Sequence, residues 1–266
     1  MQDSISPVLW QPLLATKHLG RAVNHCEHTL SSTNTVLKDM ARQGAPHGSV
    51  CLCECQTSGR GRLDRQWSSP DGQGVWISVL LRPRLSPEQL PLITFCTAMA
   101  MAQAIRDCCG VDARIKWPND LVLQGRKVCG ILLEMVITPE GIAVIAGTGL
   151  NVHHGAYPPE LADRAIALDE LCTPPQRAKI IASYLCALEK AIEALEQDGF
   201  PGIETDYRLQ SCTLGSQVHV LATDSSFTGI AEAIDESGAL LVRMQDGQLR
   251  RVLAGDVSVR GVMGYV

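Results

Sequence analysis

At 266 residues and 45% hydrophobic content, the chain can bury a sizeable core as one large domain or a main domain with a small appendage. Its 23 Lys and Arg against 28 Asp and Glu give a net charge of −5, which excludes a broad nucleic-acid-binding surface but allows a small basic patch. No apolar run reaches the roughly 18 residues of a membrane span, and Met1-Gln2-Asp3-Ser4 lacks the basic and apolar blocks of a signal peptide.

Residues 1–30 are mixed and weakly patterned, an N-terminal extension. Ser32-Thr33-Asn34 then precedes Val36, Leu37, Met40 and Ala41, apolar at helical spacing, which predicts a capped helix ending near Gly44 and Pro46. A strand is expected over 49–56, followed by a glycine- and arginine-rich stretch over 57–74 and a β-branched strand, Val75–Leu81. Ser86-Pro87-Glu88-Gln89 reads as an N-cap, a first-turn proline and a capping box, opening a helix to about Cys108. Short strands fit Ala113–Trp117 and Leu121–Leu123. Lys127–Ile137 and Ile142–Val152 are apolar runs flanked by turns and read as neighbouring antiparallel strands.

Residues 155–175 are loop-rich. Ile181, Tyr184, Leu185, Leu188, Ile192 and Leu195 form one stripe at helical spacing, so an amphipathic helix is expected over about 176–197, with a shorter one over 203–210. After Gly215 come five short strand runs: Val218–Leu221, Phe227–Ile234, Leu240–Arg243, Gln248–Leu253 and Val257–Val259. They suggest a small β-barrel and a boundary near 212–216. The division is 1–30, 31–213 and 214–266. Eleven cysteines without a signal peptide favour a reducing compartment and free thiols, hence a cytoplasmic location. Cys51, Cys53 and Cys55 alternate on one strand face, without the spacing or fourth ligand of a metal site, and read as small packing hydrophobes.

The common phosphate-loop, dinucleotide, nucleophile-elbow and zinc-helix signatures are absent. The informative segment is Gly59-Arg60-Gly61-Arg62-Leu63-Asp64-Arg65-Gln66-Trp67. Its three arginines can grip carboxylate or phosphate oxygens, so it is either a lid over an anionic ligand or a solvated basic loop. In Lys116-Trp117-Pro118-Asn119-Asp120, the Asp could hold Mg²⁺ arriving with nucleotide phosphates or simply end a turn. Lys127 stands at the mouth of an apolar strand, where it could meet a ligand carboxylate or stay solvated. His153-His154 lacks a carboxylate pattern that would support a metal.

Taken together, these segments resemble the biotin protein ligase family. The resemblance rests on Ser32-Thr33-Asn34; Glu54-x-Gln56-x-x-Gly59-Arg60-Gly61-Arg62-x-x-Arg65-x-Trp67; Lys116 to Asp120; Lys127-x-x-Gly130-Ile131-Leu132-x-Glu134; and Gly147-x-Gly149-x-Asn151. It implies an α+β fold: a mixed, largely antiparallel sheet flanked by helices, of class II synthetase type, plus a small C-terminal SH3-like β-barrel. It implies an ATP-dependent, AMP-forming ligase that makes biotinyl-5′-AMP from biotin and Mg-ATP, then passes biotin to a lysine of a biotin carboxyl carrier domain. A lipoate or octanoate ligase or transferase of the same fold, and a non-catalytic biotin-binding relative, are the alternatives.

By motif position the resemblance gives Ser32, Thr33, Asn34, Gln56, Arg60, Gly61, Arg62 and Lys127 to biotin. It gives Arg62, Arg65, Trp67, Lys116, Asn119, Asp120 and Asn151 to ATP, with Asp120 serving Mg²⁺ and no structural metal. Arg60, Arg62 and Lys127 carry the catalytic charge, and Trp67 and Trp76 are candidate pocket walls. Asp64 stands where the family commonly has glycine, and a pairing with Arg62 or Arg65 is expected to alter the loop. Ser31 replaces an Asp that often precedes the Ser-Thr-Asn triplet. The 31 residues before Ser32 show no pair of amphipathic helices, so a ligase without a DNA-binding helix-turn-helix is expected. The family contains monomers and dimers, which leaves a homodimer as a candidate assembly.

Overall fold

In the computed structural model, which describes residues 3–222, 226–254 and 257–261, the strands are divided between two sheets. Strands β1 (Asn24–Leu30), β2 (Val50–Gln56), β3 (Gly74–Leu81), β4 (Arg114–Lys116), β5 (Asp120–Leu123), β6 (Arg126–Thr138) and β7 (Gly141–Asn151) form the larger one, in the order β1-β2-β3-β7-β6-β5-β4. β1 runs parallel to β2; every other pairing is antiparallel. The helices are α1 (Pro7–Trp10), α2 (Thr33–Arg42), α3 (Ile93–Cys109), α4 (Arg177–Asp198) and α5 (Pro201–Gln210).

All eight residues of β3 are buried, as expected for a strand covered on both faces. Alternation along it separates two environments. Val75, Ile77, Val79 and Leu81 join the main core with α3 and α4, each fully buried aliphatic side chain contributing roughly 1.5–3 kcal/mol. Leu80 packs with Leu37 and Ala41 of α2 on the opposite face, while Ser78 turns to the start of that helix. That polar interruption of an apolar strand marks the site.

Strands β8 (Gln217–Ala222), β9 (Ser226–Ile234), β10 (Leu240–Arg243), β11 (Leu249–Val252) and β12 (Val257–Gly261) build the second sheet, in the order β11-β10-β9-β8-β12 and antiparallel throughout. This is the small C-terminal β module expected from the run of short strands. The Trp117 indole donates to the Gly238 carbonyl at 3.1 Å and the Trp117 amide to the Thr213 hydroxyl at 2.9 Å, fastening this sheet to the turn before β5.

Two local expectations fail. Residues 24–30, within the weakly patterned extension, are an edge strand of the main sheet. With only one neighbour and partial burial, Asn-His-Cys-Glu-His-Thr-Leu carries no clean alternation to read. The second is the start of α3. Gln89 Oε1 does accept from the Ser86 amide at 3.1 Å, but a 3₁₀ turn over Leu90–Leu92 follows and the α-helix begins only at Ile93. Pro91 has no N–H to bond back one turn, which delays the ladder.

All eleven cysteines are free thiols. Burial pushes the Cys53 thiol up to about 12 and those of Cys51, Cys96 and Cys129 higher still, so none of these four is poised as a thiolate. Among the described residues no helix is long and apolar enough to cross a membrane.

Candidate active site

Ser32, Thr33 and Asn34 occupy the first turn of α2, where helix amides need partners from outside the helix. Ser32 takes the N-cap position as expected, but its hydroxyl makes no capping bond. Gln56, at the end of β2, supplies the acceptor instead: its Oε1 takes the Thr33 amide at 2.9 Å, and its Nε2 donates to Ser69 at 2.7 Å. The Ser78 hydroxyl lies 2.7 Å from Thr33 Oγ1 and 2.6 Å from Asn34 Oδ1. Asn34 Nδ2 donates to Glu134 at 2.9 Å. A network from α2, β2, β3 and β6 thus fixes the orientations of Thr33 and Asn34.

Glu134 also accepts from Lys38 Nζ at 2.7 Å and lies 3.2 Å from Arg60 Nη1. Burial works to raise its carboxyl, but the bonds from Lys38 and Asn34 and the charges of Lys38 and Arg60 hold it below the ordinary glutamate range. It is the joint between the triplet and the arginine-glycine loop.

The floor beneath is a patch without side chains. Gly130 pairs with Gly149 across β6 and β7, and Gly147 lies two residues along on the same face, opposite Ser78. A Cβ on Gly147 would sit 2.1 Å from Asn34 Oδ1, and one on Gly149 would sit 2.4 Å from Trp67 Nε1. These glycines are slots for the Asn34 amide and the Trp67 indole. Lys127 Nζ lies 5.0 Å from the Trp67 ring centroid and 2.5 Å from Asp120 Oδ1. Asn119 donates to the Ile131 carbonyl at 2.8 Å and accepts from Arg62 Nη1 at 2.9 Å. The Trp117–Pro118 bond ahead of it is cis. Asn151 is buried, its amide donating to the Ile166 carbonyl at 3.2 Å.

The arginine-glycine loop doubles back on itself, with Arg60 bridged to Gln66 and the Gly61 amide bonded to the Arg65 carbonyl at 2.7 Å. Leu63 and Asp64 at its tip both have φ of +55°. Position 64 therefore adopts a left-handed conformation that glycine takes without strain and Asp tolerates. The expected charge pairing is not seen: among the described residues, no ion pair joins Asp64 to Arg62 or Arg65. Arg62 instead reaches Asn119 and the backbone carbonyl of Ala254 in the C-terminal module. The other proposed wall, Trp76, is misassigned. It is 1% exposed, its indole donates to the Glu54 carbonyl at 3.1 Å, and it packs with Cys53, Ala156 and Tyr157 behind the cavity.

All fourteen residues assigned by motif position (Ser32, Thr33, Asn34, Gln56, Arg60, Gly61, Arg62, Arg65, Trp67, Lys116, Asn119, Asp120, Lys127 and Asn151) line one cavity of about 730 Å³. Six cations (Arg60, Arg62, Arg65, Lys116, Lys127, Arg164) and two carboxylates (Asp120, Asp163) face it, a balance suited to a polyanion with a further carboxylate. Sequence reasoning missed one wall altogether. The stretch that follows β7 supplies Ala156, Tyr157, Leu161, Asp163, Arg164 and Ala165 to the cavity. It is built of 3₁₀ turns, with no periodicity that could have announced it. Ser69 and Ser78 were also missed, as isolated serines: Ser78 meets the triplet through the sheet register, and Ser69 meets Gln56 from the loop ahead of β3.

Comparison with known proteins gives the same reading. The Biotin/lipoate A/B protein ligase family matches residues 27–151 and the biotin protein ligase C-terminal domain matches residues 213–260. The bifunctional ligase/repressor BirA of Bacillus subtilis is 33% identical over 250 residues, covering 92% of this chain and 76% of the relative. The biotin–[acetyl-CoA-carboxylase] ligase of Mycobacterium tuberculosis is 34% identical over 233 residues, 85% of each chain. Among solved structures, the biotin protein ligase of Aquifex aeolicus in complex with biotin and ATP superposes with a TM-score of 0.79 at 26% identity, covering 90% of this chain and 99% of the other. With both family matches, these relatives and a cavity built from the family's motif residues, the chain belongs to the biotin protein ligase family.

Proposed function

We propose that this ligase acts in two steps within the one cavity, with the roles divided by position. The biotin carboxylate attacks the α-phosphorus of ATP, forming the acyl-phosphate bond of biotinyl-5′-AMP as pyrophosphate leaves. The amine of a lysine on a biotin carboxyl carrier domain then attacks the acyl carbon, forming an amide and releasing AMP. The observation that carries this reading is the convergence of Arg60, Arg62, Arg65, Lys116 and Lys127 on a cavity that the hydrogen-bonded Ser32-Thr33-Asn34 turn also lines. Two anions must approach one another in the first step, and fixed cations lower the charge that builds there.

Ser32, Thr33, Asn34 and Gln56 orient biotin. Lys127, Arg60 and Arg62 bridge its carboxylate and the transferring phosphate, with Gly61 allowing close approach. Arg65, Trp67, Lys116, Asn119, Asp120 and Asn151 serve the nucleotide. A magnesium ion fits as a companion of the phosphates rather than as a caged metal: Asp120 offers oxygen ligands beside Lys127, and the described residues contain no cluster of three His, Cys, Asp or Glu. Asp120 would hold the ion, which would neutralise phosphate charge when bound. Closure of the loop excludes water from the hydrolysable anhydride. The catalytic unit runs to about residue 213, the small sheet from 214 completes it, and the enzyme works in the cytoplasm; a second copy of the chain is a candidate partner, to be read by sedimentation.

Purified protein with Mg-ATP and biotin, lipoate or octanoate, in separate reactions, tests the proposal through pyrophosphate release. Release with biotin alone, followed by a mass increase of one biotin on an added carrier domain, is expected. Release with lipoate or octanoate alone, or none at all, would refute it.

A further inference from the structure

Glu170 lies outside every motif, yet it gathers the wall that sequence reasoning missed. One of its oxygens accepts from the Tyr157 hydroxyl and, at 2.8 Å, from the Ala167 amide. The other accepts from Arg126 Nη1 at 3.0 Å. The same guanidinium nitrogen also reaches the carbonyls of Ala162 at 3.4 Å and Ala165 at 3.5 Å. Arg126 directly precedes Lys127, and Lys127 is itself stitched to this wall: its amide donates to the Arg164 carbonyl at 2.7 Å and its carbonyl accepts from the Ile166 amide at 2.9 Å. The front of the segment, at Tyr157, and its rear, at 162–166, are therefore fastened to the strand that carries Lys127. Both charged partners are largely shielded, with 28% and 20% of their side chains exposed, so the pair is stronger than one in open solvent.

We propose that Glu170 is a positioning residue for the nucleotide: through Tyr157 and Arg126 it holds the segment 156–165 at the height at which that wall meets ATP. The proposal rests on the assignment of Lys127, Asp120 and Asn151 to ATP and its transferring phosphate. The pair is set to persist at ordinary pH. Against burial, the bonds from Tyr157, Ala167 and Arg126 keep the Glu170 carboxyl below the usual glutamate range, and burial together with the bond to Glu170 pushes the Tyr157 hydroxyl up to about 12. The phenol stays a donor and the carboxylate an acceptor.

The test is steady-state pyrophosphate release by the full chain, with ATP and biotin varied in turn. Glu170→Ala is expected to raise KM for ATP about tenfold, as for loss of a charge-assisted hydrogen bond, with KM for biotin unchanged within about twofold. Tyr157→Phe, which removes one oxygen atom, is expected to raise KM for ATP by about three- to fivefold. Equal rises in both KM values, or an unchanged KM for ATP, would overturn the proposal. If Glu170→Ala does not fold, Tyr157→Phe decides by the same criteria. Lys127→Ala tests the underlying assignment separately: wild-type rates of adenylate formation in that variant would remove the assignment itself, whatever Glu170 does.

Discussion

Two segments without regular structure enclose the cavity, and they are built on opposite plans. The arginine-glycine loop, residues 59–67, presents long charged side chains from a backbone tied mainly to itself, ending in the left-handed Leu63-Asp64 tip. The segment 154–170 presents mostly short or apolar side chains, and its backbone is bolted to β6 through Arg126, Lys127 and Glu170. The first brings charged groups on a backbone bonded mainly within itself; the second brings shape on a backbone tied to a neighbouring strand.

This contrast can be broken by experiment. Removing charge from the first segment, or from Lys127 on the strand beside the second, should damage the chemical step most. Arg62→Ala and Lys127→Ala are each expected to slow adenylate formation by about 10²- to 10³-fold, with melting temperatures close to that of the parent. Unfolding of either variant would make the residue structural and erase the distinction. Gly149→Ala and Gly147→Ala come next, since the new methyl meets Trp67 Nε1 or Asn34 Oδ1. Each should cost roughly 1–3 kcal/mol in denaturant titrations and raise KM for biotin, whereas unaltered stability would mean that the slots are looser than their geometry.

A smaller effect concerns pH. Glu134, held below the ordinary glutamate value of 4.5 in the folded chain, contributes stability that is complete above that value and is lost as pH falls through its folded one. Wild type should therefore lose more stability than Glu134→Gln on acidification below about pH 4.5, and parallel acid curves would contradict the pairing. The smallest change is Asp64→Gly. Relief of a left-handed Asp, about 1 kcal/mol, is largely offset by the extra freedom of glycine. Biotinyl-AMP should be retained longer by about threefold or less, and a faster dissociation rate would show that Asp64 helps to hold the loop shut.

What was legible in the sequence follows the same division. Lys127, Arg62 and Asn119 stood out only as members of motifs in a family order, since each alone reads equally well as a solvated residue; the structure places all three at one cavity. The long β6–β7 pair was readable as two apolar runs flanked by turns, and the α4 stripe because burial of one helical face leaves a periodic trace. Glu170 left none, since a carboxylate that binds a phenol, a guanidinium and an amide across three turns looks like any surface acid in one dimension. Gln56 was read as a ligand contact, yet its service to the Thr33 amide depends on how β2 abuts α2, which no local pattern encodes. β1 was lost because an edge strand needs only one good neighbour. Trp76 was over-read, since an indole beside a motif is as readily core as wall, and the pleat turned it behind the cavity.

The eleven thiols give the molecule a built-in set of chemical reporters. Cys51 and Cys53 lie in β2, Cys96 in α3 and Cys129 in β6, all buried, whereas Cys26, Cys55, Cys108, Cys109, Cys172, Cys186 and Cys212 are partly open to solvent. No cysteine falls after Cys212. Brief alkylation followed by peptide mass mapping would thus chart how the catalytic sheet breathes, one strand or helix at a time, while the C-terminal module stays chemically silent as an internal blank.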